Sequence, residues 1–315
     1  MFLASCPLRV SLFGGSTDNP SFIQKYGYGS VISFASNLKT YISLHQDKLG
    51  YNIDGGKFII NYSKREEIKN IKEIINDPVR VVCQHFNIEP LTISLNSDSY
   101  SQGSGLASSS SYIISLIKAI SLYKGLELTS MEICNLAYKL ELKINPFCGF
   151  QDPYGCGIGG LKRIEFLKDN KIKYEFLETD LFNHFDAYLI FTGVTRNSKN
   201  VLADVTKNID KARPLLETLE KAYNYFKDKN YDKFLKLLNL SWQQKKNTSK
   251  IISSNNIVNK IDLELNQNET VFAHKLCGAG NGGFFLVFSE KNKLELKVNK
   301  VKISVDTIGA QGISL

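Results

Sequence analysis

The chain has 315 residues, 43% of them hydrophobic and 22% charged, enough for a large core and compatible with two domains, with nothing arguing for disorder. Lys and Arg total 39 against 31 acids, a formal charge of +8 carried mostly by scattered lysines. That balance favours anionic partners, while the lack of a dense Arg cluster or an aromatic RNA-binding motif argues against nucleic acid.

Near the N-terminus no basic region precedes a long apolar run, so neither a secretory signal nor a membrane span is expected, and the chain reads as cytoplasmic. Residues 9–13, 30–34, 40–44 and 57–62 suit half-buried strands, and 91–95 is a further strand. It leads to a run of small residues, Gly103-Ser104-Gly105-Leu106-Ala107-Ser108-Ser109-Ser110-Ser111. Residues 112–120 then show helical apolar spacing. Thr129-Ser130-Met131-Glu132 is a capping box opening a second helix, which Asn145-Pro146 stops. Residues 147–160 read as a glycine-rich loop, 161–166 and 172–177 as a hairpin, and 187–191 as an apolar strand. Two long helices follow over 212–226 and 231–244. A second small-residue run, Gly278-Ala279-Gly280-Asn281-Gly282-Gly283, precedes the strand 284–288. The pattern predicts an α+β protein of two domains, 1–182 and 183–315, with one glycine run in each and a ligand between them.

Six cysteines and four histidines are dispersed without a C-x-x-C pair, so a zinc site is not expected and the cysteines read as packing residues. Glycine loops expose backbone N–H groups, and one that opens a helix adds the positive end of the helix dipole, which together suit phosphate. Three familiar motifs fail. Neither run has the Gly-Lys pair of a Walker loop, and neither Ser104 nor Ser108 sits in a G-x-S-x-G elbow. The second run satisfies G-x-G-x-x-G but is followed by a strand rather than a helix, with too little chain left for a dinucleotide-binding half.

Three motifs in order resemble the GHMP kinases: Pro7-Leu8-Arg9-Val10-Ser11-Leu12-Phe13-Gly14-Gly15-Ser16-Thr17-Asp18, the Gly103 to Ser111 loop, and Lys275-Leu276-Cys277-Gly278-Ala279-Gly280-Asn281-Gly282-Gly283. The resemblance implies an N-terminal domain like part of ribosomal protein S5, a ferredoxin-like C-terminal domain and ATP-dependent phosphorylation of a hydroxyl. It implies that Gly103, Ser104, Gly105, Leu106, Ala107, Ser108 and Ser109 wrap the ATP phosphates. Ala107 stands where the family usually has glycine, which is tolerable only if φ is negative there. Mg²⁺ is implied on Ser109 and Glu141, with Asp152 as catalytic carboxylate and Arg9 as the cation beside it.

Within that family the chain lacks the Gly-Glu-His-Thr-Asp of galactokinases. Gly14-Gly15-Ser16-Thr17-Asp18, Gln151-Asp152 and Thr192-Gly193-Val194-Thr195-Arg196 are most similar to D-glycero-D-manno-heptose-7-phosphate kinases, whose pattern is closer to G-G-G-T-D. The implied acceptor is the anomeric C1 hydroxyl of a heptose 7-phosphate, on the way to a nucleotide-activated heptose in capsule or lipopolysaccharide biosynthesis. Asp18 and Thr17 would meet sugar hydroxyls and Arg196 the 7-phosphate, with Lys275, Gly278 and Gly280 close by. Expected partners are thus a small sugar phosphate, without nucleic acid or membrane, and with a homodimer left open. Another sugar 1-kinase, such as a fucose kinase, and a non-catalytic binding protein of the same fold are the alternatives.

Overall fold

The computed structural model describes residues 1–46, 56–99, 103–195 and 198–315. The first half comprises β1 (Phe2–Phe13), α1 (Pro20–Tyr26), β2 (Tyr28–His45), β3 (Phe58–Asn61), β4 (Arg65–Ile68), α2 (Asp77–Phe86), β5 (Thr92–Ser97), α3 (Ser108–Lys124), α4 (Ser130–Ile144), α5 (Gln151–Gly157), β6 (Leu161–Leu167) and β7 (Ile172–Leu177). The second half comprises α6 (Leu181–His184), β8 (Phe185–Phe191), α7 (Ser198–Lys207), α8 (Arg213–Lys227), α9 (Tyr231–Thr248), α10 (Asn256–Gln267), β9 (Ala273–Leu276), β10 (Phe284–Glu290), β11 (Lys300–Ile303) and β12 (Gln311–Ser314).

Among the described residues the first sheet runs β12-β1-β2-β5-β3-β4, with β6 and β7 joined alongside β2. Among the described residues only the β3–β5 pair is parallel. Where the apolar pattern predicted two strands over 30–44, one long strand forms. One edge of β2 pairs with β1; on the other, Tyr28 to Phe34 pair with β6 and Thr40 to His45 with β5. The change of partner half-way along, not a turn, produces the two separate apolar runs. The second sheet is antiparallel in the order β11-β8-β10-β9. In chain order that is 4-1-3-2, the ferredoxin-like arrangement, though residues 291–299 link β10 to β11 without a helix.

The capping box forms as read, with Thr129 Oγ1 accepting from Glu132 N and the Glu132 carboxylate accepting from Thr129 N. The expected loop 147–160 contains α5. Pro153 is its third residue, where a missing N–H costs no intrahelical bond, so proline is tolerated there. One core cluster joins β2, β5, α2, α3 and α4, and another packs Leu8, Val10 and Leu12 of β1 against α8, α9 and the second sheet. The last strand, β12, returns to pair with β1 (Phe2 opposite Ser314). Helices α8 and α9 thus bind the two sheets together around one shared cleft. No helix among the described residues is long and apolar enough to cross a membrane. All six cysteines are buried and none forms a disulfide.

Candidate active site

Strand alternation sets the first element of the site. Leu8, Val10 and Leu12 enter the core, so Arg9 and Ser11 share the opposite face of β1 and line a cavity of ≈ 670 Å³. Arg9 is only 3% exposed. Its Nε and Nη2 donate to Asp152 Oδ1 at 3.0 and 2.7 Å, and its Nη1 donates to Gly105 O at 2.6 Å. One guanidinium therefore ties α5 to the first glycine loop. Burial works against its charge, but the Asp152 carboxylate outweighs that and holds its pKa above the ordinary arginine value. Both bonds to Asp152 use Oδ1; among the described residues Oδ2 accepts no hydrogen bond and Asp152 is the more exposed partner.

The first loop ends at Ala107, which precedes the first turn of α3 without any side-chain cap. The N-terminus of this 17-residue helix opens on the cavity with Ser108 and Ser109 in the wall. Ser104 Oγ and Ser108 Oγ lie 2.9 Å apart, and Ser104 Oγ also accepts from Leu106 N at 3.2 Å. The expectation of a negative φ at Ala107 is corrected: φ is +61° and ψ +39°, in the left-handed region. The loop makes the same turn that glycine would allow, and alanine carries the strain. Ser16, at another glycine position of the resembled pattern, likewise has φ +84°.

Glu141, on the buried face of α4, accepts a hydrogen bond from Ser110 Oγ. Burial first, and then the charge of Asp152, push its carboxyl up to about 7. Glu141, Ser109 and Asp152 line the same cavity and offer only oxygen donors. Among the described residues no group of three His, Cys, Asp or Glu has metal-binding geometry. Magnesium needs fewer protein ligands than that, because it keeps waters and shares substrate phosphates, so the donor set fits it.

The glycine-serine turn after β1 supplies Gly15, Ser16 and Asp18 to the cavity. Asp18 Oδ1 accepts from Ser16 N and Oδ2 from Gln151 N, both at 3.0 Å. Burial raises its pKa, against the Gln151 N–H that lowers it. Asn19 caps the helix that begins at Pro20, its Oδ1 accepting from Ser21 N. Thr17 does not reach the cavity as expected. Fully buried, its hydroxyl donates toward Gly14 O and Ser30 O, both at 2.8 Å, and fastens the turn to β2. Gly14, Leu106 and Gly280 also stand behind the wall rather than in it. Arg196 lies outside the described residues.

Lys275 and Gly278 line the cavity from the second glycine run. Lys275 Nζ donates to Leu12 O at 2.7 Å, and burial, with the charges of Lys245 and Arg9 near it, pushes its pKa down to about 7. Two other lysines were not anticipated. Lys245 is one of the scattered lysines counted in the net charge, yet it lies on the buried stripe of α9 with Phe234, Leu238, Ser241 and Trp242, and that helical spacing is the available signal. Lys162 is fully buried on β6 and donates to the carbonyls of Gly155, Ile158, Gly159 and Gly160 around the C-terminal end of α5. No periodicity marks such a residue, because its acceptors are backbone groups brought up by a turn.

Residues 71–160 match the model of the GHMP kinases N terminal domain. The chain is 28% identical to the D-glycero-alpha-D-manno-heptose 7-phosphate kinase of Campylobacter jejuni, over 94% of this chain and 91% of that one. It is 24% identical to an L-fucokinase/L-fucose-1-P guanylyltransferase of Bacteroides fragilis, over 94% of this chain and 35% of that longer protein. A D-glycero-D-manno-heptose 1-phosphate kinase structure from Bacteroides thetaiotaomicron shares the fold with a TM-score of 0.77 at 19% identity, covering 100% of this chain and 99% of that one. With three motifs converging on one cavity, residues 71–160 match the GHMP kinases N terminal domain, and the chain is similar over its length to a heptose 7-phosphate kinase and shares the fold of a heptose 1-phosphate kinase.

Proposed function

We propose that this kinase phosphorylates the anomeric C1 hydroxyl of D-glycero-D-manno-heptose 7-phosphate, giving heptose 1,7-bisphosphate for a nucleotide-activated heptose. The observation that carries the chemistry is the Arg9–Asp152 pair, in which only Oδ1 is engaged. The heptose assignment is supported by the similarity over 94% of the chain to the Campylobacter enzyme.

In this reading the backbone of residues 103–109 and the uncapped start of α3 hold the ATP phosphates. Asp152 Oδ2 accepts the proton of the C1 hydroxyl as the oxygen attacks the γ-phosphorus. The new O–P bond forms as the bond from the γ-phosphorus to the β,γ-bridging oxygen breaks, and ADP leaves. Arg9 keeps a fixed positive charge beside the attacking oxygen and, through Gly105 O, fixes the loop relative to Asp152. Mg²⁺ held by Ser109 Oγ and Glu141 would supply charge neutralisation along the phosphate chain. Asp18 orders the turn between β1 and α1 against Gln151 and turns its remaining lone pairs toward the acceptor. Gly15, Ser16, Lys275 and Gly278 complete the acceptor side, and Arg196 is retained as a candidate for the 7-phosphate. Residues 1–182 supply the phosphate loop and Asp152, and 183–315 close the cavity over them.

A second reading, a fucose-type sugar 1-kinase, is favoured by the similarity to about a third of the Bacteroides fragilis protein's length. ADP release with MgATP across heptose 7-phosphate, mannose 6-phosphate, fucose, galactose and mevalonate separates the two. Turnover confined to heptose 7-phosphate, with weaker activity on mannose 6-phosphate, is the expected result. Preference for an unphosphorylated sugar selects the second reading, and failure on all five rejects both.

A further inference from the structure

Buried polar atoms without partners are uncommon in folded proteins, and where they face a cavity they mark the places a ligand must satisfy. Among the described residues two such atoms lie on side chains lining this cavity, Ser11 Oγ and Gln151 Oε1, on residues that are 4% and 7% exposed. Ser11 is two residues beyond Arg9 on the same face of β1. Gln151 immediately precedes Asp152, and its own N–H is fixed by Asp18 Oδ2. Both are unused hydrogen-bonding stations in the cavity that Asp152 also lines.

The third member of the wall is Lys245. Its Nζ donates to Ser16 Oγ at 2.6 Å, and a Cβ placed on Gly15 would stand 3.8 Å from Ser11 Oγ and 4.0 Å from Lys245 Nζ. The bare Gly15 backbone therefore separates the orphaned hydroxyl from a largely buried ammonium and leaves the space between them clear. Leu202, Val205 and Leu215 contribute apolar lining from α7 and α8, which limits water and strengthens an ion pair formed there.

We infer that Ser11, Gln151 and Lys245 form the acceptor-recognition face, with Ser11 Oγ and Gln151 Oε1 bonding sugar hydroxyls and Lys245 meeting an anionic group carried elsewhere on the same sugar. This rests on the sugar-kinase reading above and adds Ser11, Gln151 and Lys245 to the acceptor side described there.

The test uses Ser11→Ala and Lys245→Met in the full chain, with heptose 7-phosphate and the unphosphorylated heptose as acceptors. Ser11→Ala removes a hydroxyl that no protein group uses, so its urea midpoint should equal or exceed the wild-type value. Its KM for both acceptors should nevertheless rise about 10-fold, the scale of one lost hydrogen bond, with the KM for ATP unchanged. Lys245→Met should raise the KM for the phosphorylated acceptor by about 30-fold, the scale of a charge-assisted bond, and change that for the unphosphorylated one by less than about 3-fold. Lys245→Arg should recover most of the loss. An unchanged acceptor KM in Ser11→Ala, or an equal loss on both acceptors in Lys245→Met, overturns the assignment. Should Lys245→Met fail to fold, the acceptor KM of Ser11→Ala still decides whether the face binds sugar. Should wild type prefer an unphosphorylated sugar, the heptose 7-phosphate reading and the role of Lys245 fall together. The effect of Ser11→Ala on that preferred sugar then tests the remaining hydroxyl subsite separately.

Discussion

The two glycine runs look alike in composition and do different work. The first exposes backbone: it bends through the left-handed region at Ala107 and leaves α3 uncapped toward the cavity. The second removes bulk. A Cβ on Gly283 would lie 2.3 Å from Ser104 O, and Phe284 N donates to that same oxygen at 3.2 Å. One loop opens toward the cavity, and the other is the backing against which the first is held. Small residues are therefore ambiguous in a sequence: they mark either a backbone that must be reached or a backbone that must be approached.

Gly283→Ala breaks the backing and should give the largest effect on folding. The overlap is with backbone, which cannot swing aside, and φ there is +96°. A loss of about 3 kcal/mol or more is expected, on the scale of overpacking added to backbone strain. ATP affinity should fall with it, since Ser104 moves when Gly283 does. Urea unfolding and nucleotide titration on the same sample check both; a destabilised protein with wild-type ATP affinity would show that the second run does not position the first.

Much of this was legible in the sequence, and the limits have physical causes. Helices α4, α8 and α9 declare themselves because a capping box and a 3.6-residue stripe are local properties. The bond between Arg9 and Asp152, 143 residues apart, was anticipated only through the family motifs; nothing in spacing alone joins them. Lys245 was hidden by its type, since a lysine in a Lys-Lys pair ordinarily faces water. The left-handed φ at Ala107 was missed because an alanine in a glycine slot normally implies that the slot has changed, whereas here the conformation persists and the residue is strained.

A third glycine-rich segment, 155–160, sharpens the contrast because a side chain rather than close packing holds it. Lys162 donates to four carbonyls there, so Lys162→Met should cost about 1–3 kcal/mol by leaving buried acceptors unpaired. Burial pushes the folded-state pKa of Lys162 down to about 8 from its ordinary 10.5. Between those values the unfolded chain binds more protons than the folded one, so this residue makes wild-type stability rise with pH across that window. The difference between wild type and Lys162→Met, measured by urea unfolding at about pH 8 and pH 10, should therefore widen at the higher pH. A gap that narrows would mean that the carbonyl cage holds the ammonium more firmly than burial opposes it.

The smallest expected effect addresses the first run alone. Ala107 occupies φ +61°, ψ +39°, where an L-residue costs roughly 1–2 kcal/mol more than in the right-handed region. Ala107→Gly removes that strain but gives the unfolded chain more freedom, a penalty of about 0.4–1 kcal/mol. The balance is a gain of about 0.5–1 kcal/mol, read as a higher urea midpoint at unchanged slope. Because the backbone path stays the same, ATP affinity and turnover should be preserved. A gain in stability with a loss of affinity would mean that the alanine methyl itself shapes the nucleotide site; no gain at all would mean that the loop relaxes around Ala107 and that the first run, like the second, is shaped chiefly by what packs against it.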